Sequence, residues 1–148
     1  MHEEYMRMAL KLAKEAAEAG EVPVGAVIVK DGVIVAREHN RIETNSRSSA
    51  HAEMLAIESA EAHLGAKWLT GATMYVTLEP CSMCAGALVL SRLSRLVIGA
   101  DDPKTGACGS LYNIADDERL NHRVEITRGV LGDLCGEQLR EFFRQRRK

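Results

Sequence analysis

The 148-residue sequence predicts an α/β fold in which helices cover a mixed β-sheet. Two observations lead to this fold class. Segments with apolar residues at helical spacing alternate along the chain with short runs that are rich in β-branched residues. The resulting order of elements, αββαβαββα, is typical of a sheet that lies between layers of helices, an α/β sandwich.

The first third of the chain predicts a helix followed by a β-hairpin. Apolar residues recur at helical spacing over 5–19, and Gly20 is a plausible helix stop. Two apolar runs, over 22–29 and 33–37, flank the segment Lys30-Asp31-Gly32. An Asp-Gly pair between two such runs is typical of a hairpin turn.

The middle of the chain predicts two helices that each follow a non-helical segment. A polar loop over 39–48 precedes a helix over 51–63. The β-branched segment over 72–78 predicts a strand, and a helix over 81–91 follows it almost directly.

The last third predicts the rest of the sheet and a closing helix. A strand is expected over 96–100 and a short one over 124–127. The connection between them, over 101–123, is expected to be rich in loops and to hold a short helix. The final helix is expected over 131–147.

Length and composition are those of one soluble domain, so we expect a single domain over residues 1–148. Apolar residues make up 46% and charged residues 27% of the chain. A chain of this size buries roughly 68–70% of its unfolded surface, so no disulfide is required. No apolar run approaches the roughly 20 residues of a membrane span, and the N-terminus lacks a signal-peptide pattern. We therefore expect a cytoplasmic protein with no membrane partner.

Two short motifs carry the candidate chemistry: His51-Ala52-Glu53 and Pro80-Cys81-Ser82-Met83-Cys84. One His and two Cys offer three zinc ligands, which leaves a fourth tetrahedral position open for water. A structural zinc site is normally closed by four protein ligands, so this set predicts one catalytic zinc per chain. Glu53 is then the candidate general base, which takes a proton from the water and passes it to the substrate.

The spacing of the two cysteines suits one metal ion. Residues three apart share a helix face, so the sulfurs of Cys81 and Cys84 can reach the same point. Pro80 just before them favours a helix start, where exposed amide hydrogens stabilise thiolates. The other two cysteines, Cys108 and Cys135, have no ligand-like neighbours and are expected to be buried.

His51 and Glu53 set a geometric condition. Residues two apart on a regular helix point in nearly opposite directions. Both can face one metal only if His51 lies at the very start of its helix, before the first regular turn. Ser48 and Ser49 are the candidate caps of that helix.

The C-terminal segment is basic, although the whole chain has a net charge of −2. Residues 137–148 hold two acidic and five basic side chains, the latter being Arg140, Arg144, Arg146, Arg147 and Lys148. Such a segment suggests contact with phosphate groups. A solvated helix end is the alternative, and on charge alone it is the commoner case.

Further segments accompany the two motifs, namely Val22-Pro23-Val24-Gly25-Ala26-Val27, Asn40, Val76-Thr77-Leu78-Glu79, Ala85-Gly86-Ala87, Lys104-Thr105-Gly106, Gly109-Ser110-Leu111, Asn121-His122-Arg123-Val124 and Phe142-Phe143-Arg144. With these segments the chain resembles, over nearly its whole length, the bacterial tRNA-specific adenosine deaminases of the cytidine deaminase superfamily. The resemblance implies a three-layer α/β/α sandwich with a five-stranded mixed sheet whose last two strands are parallel. It also implies zinc, a homodimer, no organic cofactor, and conversion of adenosine to inosine at the wobble position of a tRNA anticodon stem-loop.

The resemblance also assigns substrate contacts. It places Asn40, the Ala52 backbone amide and Pro80 around the flipped nucleoside. It places six further residues near the RNA: Asp102, Lys104, Asn121, Phe142, Phe143 and Arg146. Each of these six also has an ordinary structural interpretation, as a turn, a loop cation, a turn cap or helix packing. Because RNA loops are read by stacking bases on aromatic or Arg side chains, the resemblance strengthens the phosphate-contact interpretation of the C-terminal segment.

Three alternative functions remain open from the sequence. A deaminase of free cytidine or guanine would use the same zinc chemistry, although it would need no basic segment. A structural zinc domain would need a fourth protein ligand and would leave Glu53 without a role. A thiol redox protein that uses Cys81 and Cys84 would have no need of His51.

Overall fold

The computed structural model describes residues 1–146, which contain ten helices and strands. The strands are β1 (Gly25–Lys30), β2 (Val33–His39), β3 (Ala72–Leu78), β4 (Arg95–Ala100) and β5 (Glu125–Thr127). The helices are α1 (His2–Glu18), α2 (Ile42–Asn45), α3 (Ala52–Leu64), α4 (Ser82–Leu90) and α5 (Gly132–Arg146). Two residues of the predicted basic segment, Arg147 and Lys148, lie outside the described residues.

The strands form one mixed sheet in the order β2-β1-β3-β4-β5. Strand β1 is antiparallel to both of its neighbours, β2 and β3. Strand β4 is parallel to both β3 and β5. The five-stranded mixed sheet and its parallel last pair are therefore as predicted.

Helices cover both faces of the sheet, which confirms the three-layer α/β/α sandwich. Along β3, the side chains of Met74 and Val76 pack on one face with α3 and α4, and Tyr75 packs on the other face with α1 and α5. Successive strand residues point to opposite faces, so a strand that is covered on both sides is apolar throughout. The approach of α1 is close, because a Cβ at Gly25 would collide with the carbonyl of Ala9. No helix among residues 1–146 combines the length and the apolar character that crossing a membrane requires.

The predicted hairpin and first helix are both present. Asp31 and Gly32 have φ angles of 52° and 75°, and two positive φ values are what a two-residue type I′ turn requires. Helix α1 begins three residues earlier than predicted, with Glu3 and Glu4 in its first turn, where acidic side chains stabilise a helix. Gly20, at φ 82°, follows the end of α1.

Two predictions for the connecting segments were wrong. The segment 101–123 holds no helix, because Asp102, Asn113 and Asp117 each accept a bond from a backbone amide two or three residues ahead. Side-chain bonds of this kind compete with helical hydrogen bonds. Conversely, the predicted loop over 39–48 contains α2. Its first amides, of Glu43 and Thr44, donate to the distant carboxylate of Glu21.

Candidate active site

The candidate site forms where the starts of α3 and α4 meet. His51 is the N-cap of α3, with φ −73° and ψ 148°, and Cys81 is the N-cap of α4, with φ −76° and ψ 179°. Both residues therefore have extended backbones, and regular helix begins one residue later. This is the arrangement in which His51 and Glu53 can face the same point despite their spacing.

The start of α3 is held by Asn40 rather than by the predicted serines. The Oδ1 atom of Asn40 accepts a hydrogen bond from the Ala52 amide at 2.9 Å, and its Nδ2 atom donates to the Val22 carbonyl at 3.1 Å. The prediction that Ser48 and Ser49 cap the helix was wrong, because a side chain from the end of β2 reaches this amide first. The resemblance implies that the Ala52 amide contacts the nucleobase of the substrate. In this structure that amide is paired with Asn40.

The three candidate ligands are close enough to bind one ion. Their donor atoms all lie within 4.8 Å of one another, and no other His, Cys, Asp or Glu among residues 1–146 joins this group. The His51 Nδ1 atom lies 3.8 Å from the Cys81 sulfur and 3.5 Å from the Cys84 sulfur. Tetrahedral zinc with ordinary Zn–S and Zn–N bonds separates N and S ligands by about 3.6 Å. The donor types and their spacing therefore fit zinc.

Hydrogen bonds among His51, Cys81 and Cys84 stabilise one cysteine as a thiolate. Hydrogen bonds from Cys84 and His51 lower the pKa of Cys81 to about 3. The same bonding makes Cys84 the donor, and together with burial this raises the pKa of the Cys84 thiol. The bond to Cys81 raises the pKa of His51. Thiolates are the form of cysteine that binds metal, so Cys81 is ready to act as a ligand at neutral pH.

Glu53 is a buried carboxyl group with a raised pKa. Only 4% of the residue is exposed. Burial raises the pKa of Glu53 to about 7, and this outweighs the lowering by its own backbone amide, by His51 and by the Cys84 thiol. A group with a pKa near neutrality can both accept and donate a proton, which is what a general acid–base catalyst requires.

A second buried carboxylate, Glu79, lies directly before the Pro80-Cys81 pair. Burial alone would raise its pKa, but hydrogen bonds from Ser110 and from the backbone amides of Asp102, Ser110 and Cys108 lower it. Sequence reasoning gave Glu79 no role. Its signal was its position, because it follows a buried strand and precedes the ligand motif.

Asp102 and Lys104 lie on the loop that Glu79 holds, next to the ligand motif. The carboxylate of Asp102 accepts bonds from the backbone amides of Lys104 and Thr105, at 3.0 and 3.2 Å. This carboxylate therefore shapes the turn. Lys104 is exposed on the same turn and makes no ion pair with any of residues 1–146.

The end of α5 packs against the segment between α1 and β1. Phe142, Phe143 and Arg146 line a pocket of about 250 Å³ together with the segments 20–22 and 42–43. Arg146 donates to the Gly20 carbonyl at 2.6 Å, and its guanidinium lies 4.7 Å from the centre of the Phe142 ring. Because Asn40 is bonded to Val22, this pocket adjoins the residues around the candidate metal centre.

The structure does not bring Asn121 to the site within one chain. Its carbonyl accepts a bond of 2.9 Å from Arg92, which precedes β4. The candidate ligands lie beyond the opposite end of the parallel pair formed by β3 and β4. A strand of this length spans roughly 20 Å.

Known deaminases resemble this chain over nearly its whole length. A family model described as MafB19-like deaminase matches residues 1–147. A tRNA-specific adenosine deaminase of Bacillus subtilis (strain 168) is 57% identical over 144 residues, which are 97% of this chain and 89% of the relative.

Two solved structures have a similar fold. One is from a study of A-to-I editing by tRNA:A34 deaminases at the wobble position of transfer RNA; it has a TM-score of 0.88 and 41% identity, and the match covers 91% of this chain and 98% of that one. The other is a guanine deaminase from Nitrosomonas europaea, with a TM-score of 0.82 and 27% identity, covering 95% and 83% of the two chains.

Proposed function

Since this chain belongs to the MafB19-like deaminase family and to the tRNA-specific adenosine deaminases, we propose that it converts adenosine to inosine at the wobble position of a tRNA anticodon, with zinc as its metal. One observation supports the chemistry most strongly. His51, Cys81 and Cys84 lie together at two helix starts, with the buried Glu53 in the first turn of α3. A carboxyl group in that position has no use in a structural zinc domain or in a thiol redox protein.

In the proposed site, His51, Cys81 and Cys84 hold the zinc. The chemistry that zinc supplies is Lewis acidity, which lowers the pKa of water enough to make it a nucleophile at neutral pH. Two anionic sulfur ligands weaken that acidity, so a protein base is needed as well.

Glu53 is that base. It removes a proton from the water whose oxygen attacks C6 of the adenine ring, and it delivers a proton to the ring nitrogen. Glu53 then carries the second proton of that water, from the new hydroxyl on C6, to the exocyclic amine, which leaves as ammonia, so that one water is consumed and one C–N bond is exchanged for a C–O bond. A pKa of about 7 suits Glu53 to both halves of this exchange.

The surroundings of the site support an RNA substrate. A base enters such a pocket only when it is flipped out of its stack. Pro80 and Asn40 are buried beside the candidate ligands and are proposed to form walls of the nucleoside pocket. Lys104 and the end of α5, with Phe142, Phe143 and Arg146, offer the cationic and aromatic contacts that single-stranded RNA loops use.

Four residues on α4 support the proposed homodimer. Met83, Gly86, Ala87 and Leu90 follow helical spacing, and Leu90 is 80% exposed. An apolar helical stripe that water reaches is typical of a subunit interface. We also propose that residues 1–148 act as one domain and that the protein works in the cytoplasm, where tRNA is used.

The test is to map inosine in total tRNA after incubation with the zinc-loaded protein. The same protein is then offered an anticodon stem-loop, free adenosine, free cytidine and free guanine. Inosine at the wobble position, with turnover of the stem-loop well above turnover of the free compounds, would support the proposal. The similarity to a guanine deaminase makes guanine the sharpest competitor. If guanine is deaminated and the tRNA remains unmodified, then guanine is the substrate, and the proposed zinc chemistry is unchanged.

A further inference from the structure

The Glu79 carboxylate is the centre around which the loop 101–110 is folded. Its side chain is fully buried, and it accepts from five donors. Oε1 accepts from the Asp102 amide at 3.0 Å, from Arg128 at 2.9 Å and from the Ser110 hydroxyl. Oε2 accepts from the amides of Cys108 and Ser110, each at 3.0 Å. One carboxylate therefore fixes the backbone of the loop at three points.

Arg128, which follows β5, packs on the solvent side of Glu79 and the loop. Its guanidinium bonds to Glu79, to Asp101 at 2.7 Å and to the Cys108 carbonyl. The Arg128 side chain is 35% exposed. It therefore neutralises the buried carboxylate and also joins both ends of the loop to it.

The loop lies directly against the ligand-bearing start of α4. The Ala107 amide donates to the Pro80 carbonyl at 2.9 Å, and Gly106 forms a β-bridge with Cys81. Gly106 has no room for a side chain, because a Cβ there would lie 2.6 Å from Oε2 of Glu79. Glu79 and Pro80 are adjacent, so one short extended segment contacts the inner side of the loop and leads into the ligand motif.

We propose that Glu79, with Arg128, is a positioning residue that fixes the loop 101–110 beside the metal centre so that Lys104 contacts the RNA substrate. Glu79 itself touches neither metal nor substrate. The role depends on the proposed function, because Lys104 is useful here only to an enzyme whose substrate carries phosphates. A buried ionic cluster costs free energy in desolvation, and in some proteins such a cluster fixes one specific conformation, which is the role that we give this one.

The first measurement is independent of substrate. In Glu79→Gln the side chain keeps its size, but its amide nitrogen cannot accept from the loop, so at least one backbone amide loses its partner. Hydrogen exchange should become faster in 101–110 and remain unchanged in α3, and the protein should still bind one zinc per chain. Unchanged exchange in the loop would overturn the proposal.

The second measurement is kinetic. Glu79→Gln should raise KM for an anticodon stem-loop about five- to tenfold and leave kcat within about twofold, the pattern that follows the loss of a binding contact. A fall in kcat at constant KM would contradict a role in RNA contact.

A double-mutant cycle separates positioning from general destabilisation. Lys104→Ala should cost at least about threefold less in the Glu79→Gln background than in the wild type, because the lysine is already displaced there. The matched control is Glu21→Gln, which removes another buried carboxylate that organises a separate turn. Its effect should combine additively with that of Lys104→Ala. Additivity in both backgrounds would overturn the proposal.

A second variant guards against misfolding of Glu79→Gln. Arg128→Ala alters a partly exposed side chain and should give the same loop exchange, the same KM effect and the same coupling to Lys104→Ala. If the wild-type protein leaves tRNA unmodified, the proposed function fails. The exchange measurement then still decides whether Glu79 and Arg128 hold the loop.

Discussion

Two buried glutamates, Glu53 and Glu79, lie next to the two halves of the ligand motif, and their surroundings differ. Glu53 is 4% exposed and Glu79 is 2% exposed. Burial raises the pKa of Glu53 to about 7. The same burial acts on Glu79, but the hydrogen bonds that it accepts lower its pKa.

The difference lies in the number of donors that each carboxylate meets. Five donors surround Glu79, and a carboxylate bonded in this way stays ionised and fixes its neighbours. Glu53 has its own backbone amide and the Cys84 thiol. A buried carboxyl group with few donors changes its protonation readily, which is a cost in a structural residue and a requirement in a proton carrier.

Removing the metal should have the largest effect on activity. Without zinc the proton transfer by Glu53 has no reaction to serve, whereas the loop that Glu79 holds should stay folded. Cys84→Ser replaces a thiolate ligand by a poor one, so we expect strong loss of zinc and of deaminase activity. Metal analysis and inosine formation measure the two losses. Cys135→Ser is the matched control, because Cys135 is buried on the other face of the sheet and is not among the candidate ligands. Full zinc content and activity in Cys84→Ser would show that the ligand assignment is wrong.

Removing the proton carrier should have the next largest effect. Glu53→Gln and Glu53→Ala should retain zinc and fold but lose at least about 10²-fold in turnover, because neither side chain can carry the proton. Single-turnover kinetics with saturating stem-loop measures the loss. Glu58→Gln, at an exposed position on the same helix, should behave like the wild type. A Glu53→Gln variant with a near-normal rate would remove Glu53 from the mechanism.

Substitution of the two glutamates should have different effects on the free energy of unfolding. Glu79→Gln should lower the free energy of unfolding by roughly 1.5–3 kcal/mol, since it disrupts bonds to a charged group. Glu53→Gln should leave it unchanged or raise it, because a group held for catalysis often costs stability. Urea unfolding of both zinc-loaded variants tests this. Equal losses would mean that the two carboxylates have the same structural role.

The smallest effect is expected at the end of α5. Neutralising Arg144, Arg146 and Arg147 together should raise KM for tRNA and leave kcat nearly unchanged. Each lost phosphate contact should lower the salt slope of binding by nearly one. Arg144 is already paired with Glu137 at 2.6 Å and Glu141 at 2.9 Å, so its share should be the smaller.

Initial rates at several salt concentrations make this measurement. Neutralising Arg7, Lys11 and Arg37, which are exposed elsewhere, removes the same charge and should not change the slope. An unchanged slope in the C-terminal variant would leave these arginines as a solvated helix end. A lower kcat with unchanged KM would mean that this end of α5 positions the catalytic residues.

Local patterns predicted most of the fold because the decisive signals are short-range. The hairpin followed from Asp31-Gly32, and the position of His51 followed from its spacing to Glu53. The missing helix in 101–123 comes from local side-chain bonds, but the other two errors have a common physical cause, since they concern contacts between residues far apart in sequence. Asn40 holds the start of α3 in place of Ser48 and Ser49, and Glu21 forms the cap of α2 from 22 residues away.

The same cause hid the role of Glu79. The position of Glu79 before Pro-Cys marks it as a residue near the site, but it gives no sign that the chain will return about 30 residues later and surround it with backbone amides. The interaction with Arg128 joins residues 49 positions apart. Ligand spacing is a property of a few consecutive residues and can be recognised in the sequence, but the packing of a loop on a carboxylate cannot.

The close fit of Gly106 against Glu79 affects how this scaffold can be re-engineered. A side chain at Gly106 would strike the Glu79 carboxylate, and the displacement would pass through Pro80 to the metal ligands. Libraries that randomise Gly106 should therefore yield mostly inactive clones. The end of α5 joins the rest of the site through the Arg146–Gly20 bond, and its Phe143 is 44% exposed. Selection for new RNA sequence preferences should accumulate its first useful changes there.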